Sequence, residues 1–140
     1  MMARTQPDDY SCGIYSIINA LIVYGENKSR REVGALTQTT ENGTDEEGIK
    51  QALTELGYKH RVYTSQNGNN AWRWILRHAG FNPLILYVDG DHWLVVAGRI
   101  QNKVVLLDSL NNAHIVNKTE LLDRWKDKKS YYGISITAMR

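Results

Sequence analysis

Apolar positions along this chain change their rhythm near its middle. Ile14, Ile17, Ile18, Leu21, Ile22 and Tyr24 cover most of the circumference of a helix and stop at Gly25, so the spacing predicts a buried helix with a glycine stop. Ser29 with Glu32, and Thr44 with Glu47, have capping-box spacing, in which side chain and backbone satisfy each other's orphan groups at a helix start. Two further helices are expected there. The second carries Ile49, Leu53 and Leu56 on one side and ends at Gly57; a fourth runs from Asn70 to Gly80 around Trp72, Ile75, Leu76 and Ala79.

After Pro83 the runs become short, β-branched and aromatic: "LILYV", "HWLVVAG" and "KVVLLD", separated by "DGD" and "RIQN". They predict consecutive antiparallel strands. A short helix around Leu121, Leu122 and Trp125 should follow, then "YYGISITAM" as a closing strand. Helices first and a strand meander second give an α+β domain.

Composition narrows the function more than the fold. With 140 residues and 42% hydrophobic content, residues 1–140 read as a single domain whose core needs neither metal nor disulfide. The single cysteine cannot form an internal disulfide, and no basic segment leads into a signal-like apolar stretch, so a reducing cytoplasm is the expected location. No apolar run reaches the ~20 residues of a membrane span. The net charge of +2 is interspersed, and "KDKK" at 126–129 is too small a basic patch for a nucleic-acid binder.

That cysteine, Cys12, stands where the polar "QPDDYS" turns into the buried helix, and a helix start stabilises a thiolate. A base is needed. Of the four histidines, His92 alone begins an apolar strand, directly after "DGD"; Asp108 ends the next strand 16 residues later, where a hairpin would return its carboxylate to the ring. Asn111 and Asn112 are alternative partners for His92, although they lie in a turn-like run. Gln6 could join the Cys12 backbone N–H in an oxyanion hole. Asp8 and Asp9 oppose the scheme, since carboxylates near a thiolate destabilise it. Gly13 suits close approach of a substrate to the helix end. His60, His78 and His114 show no ligand spacing, so no metal and no cofactor are expected.

Glutamine, five residues, cysteine-glycine ("QPDDYSCG"), the helix "NGTDEEGIKQALTELGY", and "HWLVVAG" followed by "VVLLDS" together resemble the papain-like cysteine peptidases, in particular the family that removes double-glycine leaders from bacteriocins. The resemblance runs almost end to end. It implies a papain-like fold with Cys12 as nucleophile, His92 as base, Asp108 as its orienter and Gln6 as oxyanion donor. Ser109 departs from the family, where proline is common after the aspartate, and the chain reads as free-standing rather than fused to a transporter. "HWLVV" and "LLDSL" also echo SUMO-specific and ubiquitin-like proteases locally, in the opposite chain order. Both groups favour Gly-Gly before the cut, for which a narrow aromatic tunnel is suited, and Trp93 is the candidate wall. The implied partner is a peptide or protein substrate with a Gly-Gly sequence, cut at a peptide or isopeptide bond. Thioester-dependent acyl transfer, deamidation, and an idle peptide-binding cleft are the alternatives.

Overall fold

In the computed structural model, which describes residues 3–110, 112–125 and 130–139, the first apolar run is helix α1 (Cys12–Ile22). Every residue of α1 from Cys12 to Leu21 is buried, as its all-round apolar surface requires. Gly25 adopts the positive φ of a helix stop, +77°. Helix α2 (Arg30–Thr37) starts on the predicted cap, with Ser29 Oγ accepting from Glu32 N–H at 3.1 Å.

Helix α3 (Glu46–Glu55) corrects the second cap by one residue: Asp45, not Thr44, accepts from Gly48 N–H at 2.8 Å. Thr44 is used elsewhere. Its hydroxyl pairs with that of Thr39, and its backbone carbonyl accepts from Trp93 Nε1 at 2.9 Å. Helix α4 (Gly68–His78) is capped by Asn67, and α5 (Lys118–Trp125) by a reciprocal pair in which Asn117 and Glu120 each accept from the other's backbone N–H.

The strands are β1 (Tyr58–Ser65), β2 (Leu84–Val88), β3 (His92–Ile100), β4 (Lys103–Asp108), β5 (Asn112–Val116) and β6 (Tyr131–Met139). They form one antiparallel sheet in the order β1-β6-β2-β3-β4-β5. The meander β2-β3-β4 is the predicted one. The last strand does not close an edge: β6 lies between β1 and β2, and both β1 and β5 are additions to the sequence expectation.

Strand alternation divides the core in two. Ile85, Trp93, Val95, Leu107, Ile134 and Ile136 point to the face covered by α1, α2 and α3. Leu84, Leu86, Val88, Leu94, Val96 and Leu106 point to the other, where α4 and α5 bring Trp74, Ile75, Leu121 and Trp125. Each large side chain buried this way is worth about 1.5–3 kcal/mol before entropy is counted, and Trp125 and Ile17 are among the largest that are completely buried. Among the described residues no helix is long and apolar enough to cross a membrane. The "KDKK" cluster and Asn111 lie outside the described residues.

Candidate active site

Cys12 is the first residue of α1 and lines a cleft of about 200 Å³. Its sulfur lies 4.0 Å from the Asp91 carbonyl oxygen, on the turn that leads into β3. The other walls come from Tyr10, from the loop Glu41 to Thr44, and from Tyr87 and Trp93; Asp9, Glu41 and Asp91 are acidic, and no lysine or arginine is among the lining residues. The loop wall is pinned twice, by the paired backbone hydrogen bonds of Thr40 and Gly43 and by the Trp93 indole on Thr44.

His92 and Asp108 meet because of register. Val95 pairs with Leu107, which sets Leu94 opposite Asp108 and leaves His92 one diagonal step away on the same face. His92 Nε2 lies 2.8 Å from Asp108 Oδ1, with the carboxylate completely buried. The same oxygen accepts from Leu110 N–H at 2.9 Å, while Oδ2 faces Arg124 Nη2 at 3.3 Å. With Nε2 on the carboxylate, Nδ1 is the ring nitrogen not engaged by Asp108, and the Cys12 side chain is near enough to the ring to help raise its pKa.

Electrostatics follow from that arrangement. Burial disfavours the His92 imidazolium, but the hydrogen bonds to Asp108 and Cys12 and the charges of both outweigh it and push its pKa up to about 9. Burial also works against the Asp108 carboxylate; the His92 and Leu110 hydrogen bonds, with the charges of His92 and Arg124, hold it well below the usual carboxylate range. These two shifts describe one shared interaction.

Gln6 is brought to the same end of the sheet by the N-terminal segment, which is tied down at several points. Ala3 N–H donates to Asn112 Oδ1, Arg4 exchanges hydrogen bonds with the Asn19 side chain of α1, and Gln6 N–H donates to the Ser109 carbonyl at 3.0 Å. The Ser109 hydroxyl donates to Gln6 Oε1, and Gln6 Nε2 donates to the Asp8 carbonyl at 2.6 Å. An amide nitrogen has two hydrogens, so one donor remains. Gln6 is not among the residues that line the cleft.

The readings of Gly13 and Asp8 change, and the alternative partner Asn112 falls away. Gly13 is not an opening for substrate: a Cβ there would stand 2.5 Å from Thr44 Cβ and Oγ1, so the missing side chain makes room for Thr44. Asn112 serves Ala3 rather than His92. Asp8 is drawn away from the sulfur, its carboxylate accepting from the N–H groups of Tyr10 and Ser11 and pairing with Arg30 at 2.9 Å, whereas Asp9 does line the cleft. Trp93 both packs in the core and lines the cleft, with its ring 4.7 Å from that of Tyr87.

Arg124, Ser109 and Thr44 escaped the sequence reading. Ser109 carried a signal, since a hydroxyl replaced an expected proline beside the key carboxylate; Arg124 and Thr44 contact the site only through tertiary packing. His60, His78 and His114 lie on β1, α4 and β5, outside the cleft lining. Among the described residues no group of three or more His, Cys, Asp or Glu is placed to hold a metal ion.

Comparison with known proteins places this geometry in context. The sequence profile of the Peptidase C39 family matches residues 2–131. No curated protein matches the chain in sequence. Among solved structures, the peptidase domain of Streptococcus ComA, a bifunctional ABC transporter involved in quorum sensing, superposes with a TM-score of 0.76 at 20% identity, covering 96% of this chain and 97% of that one. A double glycine motif protease from an AMS/PCAT transporter, solved in complex with the leader peptide, gives 0.77 at 15% identity, over 95% and 89% of the two chains. The N-terminal peptidase C39 like domain of a toxin secretion ATP-binding protein from Vibrio parahaemolyticus gives 0.63 at 13% identity, over 90% and 97%. At such identities the likeness establishes a shared fold.

Proposed function

The chain belongs to the peptidase C39 family and is a cysteine peptidase; from that premise we propose that Cys12, His92 and Asp108 form its catalytic triad, and that it cuts a peptide after a double glycine. The observation that carries the reading is His92, whose Nε2 lies 2.8 Å from Asp108 Oδ1 and whose pKa is raised by both Asp108 and the Cys12 side chain beside the cleft.

The chemistry follows from the positions. His92 Nδ1 takes the Cys12 proton, and the imidazolium is held by Asp108 through Nε2. The thiolate attacks the substrate carbonyl carbon, and the charge that develops on its oxygen is met by the Cys12 backbone N–H and the remaining N–H of Gln6. Collapse breaks the C–N bond; His92 gives its proton to the leaving amine, and a thioester on Cys12 remains. Water, deprotonated by His92, then releases the acid and restores the thiol.

Double-glycine specificity rests on kinship with the AMS/PCAT protease and on the cleft itself, whose walls beside the sulfur include Trp93, Tyr87 and Thr44. A slot between aromatic rings and a pinned loop accepts a residue without a side chain and excludes larger ones. The test is mass spectrometry of products from peptides that carry Gly-Gly, Gly-Ala or Ala-Ala before the cut, with Cys12→Ala as control. Cleavage confined to Gly-Gly with the gain of one water supports the proposal. Cleavage of all three peptides would remove the specificity, and a product joined to an added amine would favour acyl transfer.

A further inference from the structure

The mechanism above uses one oxygen of Asp108. The other, Oδ2, faces Arg124 Nη2 at 3.3 Å. Arg124 lies in the last turn of α5, and its guanidinium grips Asp89 more closely, with Nη2 2.7 Å from Asp89 Oδ2 and Nε 3.2 Å from both carboxylate oxygens. The backbone repeats the link: Asp89 N–H donates to the Arg124 carbonyl at 2.7 Å. Asp89 belongs to the turn between β2 and β3, three positions before His92, and holds a positive φ of +57° that a non-glycine residue rarely adopts. One guanidinium therefore joins the turn that delivers His92 to the strand end that delivers Asp108.

A buried carboxylate bonded through one oxygen can turn about its Cβ–Cγ bond and carry the imidazole with it. A planar guanidinium on the second oxygen removes that freedom, and it keeps its own place only if something holds it. Asp89 supplies the hold. The side chains of Arg124 and Asp89 are 27% and 39% exposed, so their ion pair by itself adds little to stability; its consequence is geometric.

We propose that Arg124, anchored by Asp89, is a positioning residue for catalysis, fixing the Asp108 carboxylate so that Oδ1 stays on His92 and the imidazolium stays on Cys12. The inference rests on the triad assigned under the proposed function. The charged groups around His92 are Cys12 from α1, Asp108 from β4 with Arg124 of α5 behind it, and Asp89 and Asp91 in the turn before β3. Loss of Arg124 leaves Asp108 buried with one donor fewer, a looser ring and a less persistent thiolate.

The test is the rate of Cys12 alkylation by iodoacetamide at pH 6, followed by intact mass on the full chain, with thermal melting to confirm folding. Arg124→Met is expected to slow alkylation about tenfold, with partial recovery in Arg124→Lys. Because the effect passes through Asp108, Arg124→Met should add nothing to Asp108→Asn. The same slowing in both backgrounds would mean that Arg124 merely holds α5 to the sheet, and that result, like an unchanged rate in Arg124→Met, overturns the proposal. If Arg124→Met does not fold, Asp89→Asn replaces it; a slowing of about threefold supports the clamp, and none removes it. His92→Ala separates the two levels. Alkylation as fast as native in that variant ends the triad reading, whereas slow His92→Ala with fast Arg124→Met ends only the role of Arg124.

Discussion

His92 Nε2 and Asp108 Oδ1 are 2.8 Å apart, and no sheet residue near them is better buried than the carboxylate, which is fully covered. The pair is therefore a stability element as well as part of the proposed triad, with a sign that can be worked out. The His92 pKa, about 9, lies above its ordinary 6.5, so its contribution is complete below pH 6.5 and is lost as pH rises through 9. Asp108 is lowered, so its contribution is present above the ordinary carboxylate value and is lost only in strong acid. The coupled pair is worth on the order of 3 kcal/mol at full strength, counted once. Urea unfolding should show stability falling between pH 6 and 9 in the native chain and a flatter profile in His92→Gln; equal slopes would mean that the ring is not paired in the folded state.

Ser109 should matter to turnover through Gln6. Its hydroxyl holds Oε1 of the amide, and the Asp8 carbonyl takes one hydrogen of Nε2, so both ends of the Gln6 side chain are fixed with one N–H left over. Ser109→Ala is expected to lower kcat about tenfold with little change in KM, and Gln6→Ala about a hundredfold, on the scale of a lost oxyanion donor. One neutral hydrogen bond contributes about 1 kcal/mol, so melting of Ser109→Ala should shift by only a few degrees. A kcat unchanged in both variants would take Gln6 out of the mechanism.

Gly13→Ala should be costly despite its conservative appearance. The added methyl meets Thr44 Cβ and Oγ1 at 2.5 Å, and Thr44 is held by Thr39 and Trp93. Overpacking of this kind costs about 1–3 kcal/mol. Thermal denaturation should show that loss, and Thr44→Gly in the same chain should restore part of it. Native-like melting of Gly13→Ala would mean that the cleft wall yields freely.

Much of this molecule was legible in its sequence. The buried helix, the Ser29 cap, the β2-β3-β4 meander and the pairing of His92 with Asp108 all come from local periodicity plus one hairpin. What escaped depended on distant partners. Strand β1 reads "YKHRVYTS", too polar for a strand signal, and exists because β6 pairs along its whole length. Strand β5 looked like a turn extension, and Asn112 enters it at a positive φ of +65°. Thr44 matched a cap by spacing, but contacts with Thr39, Trp93 and Gly13 claimed it. Arg124 gave no sign because its partners are 16 and 35 residues away.

The central claim, that His92 activates Cys12, can be read directly because the chain has one cysteine and intact mass reports on it alone. The measurement is brief alkylation with a low dose of iodoacetamide from pH 5 to 9, on the native chain and on His92→Ala. The proposed triad predicts that modification of the native chain is slowed about tenfold or more by the loss of His92. Slow modification with the same pH profile in both proteins would contradict the paired site.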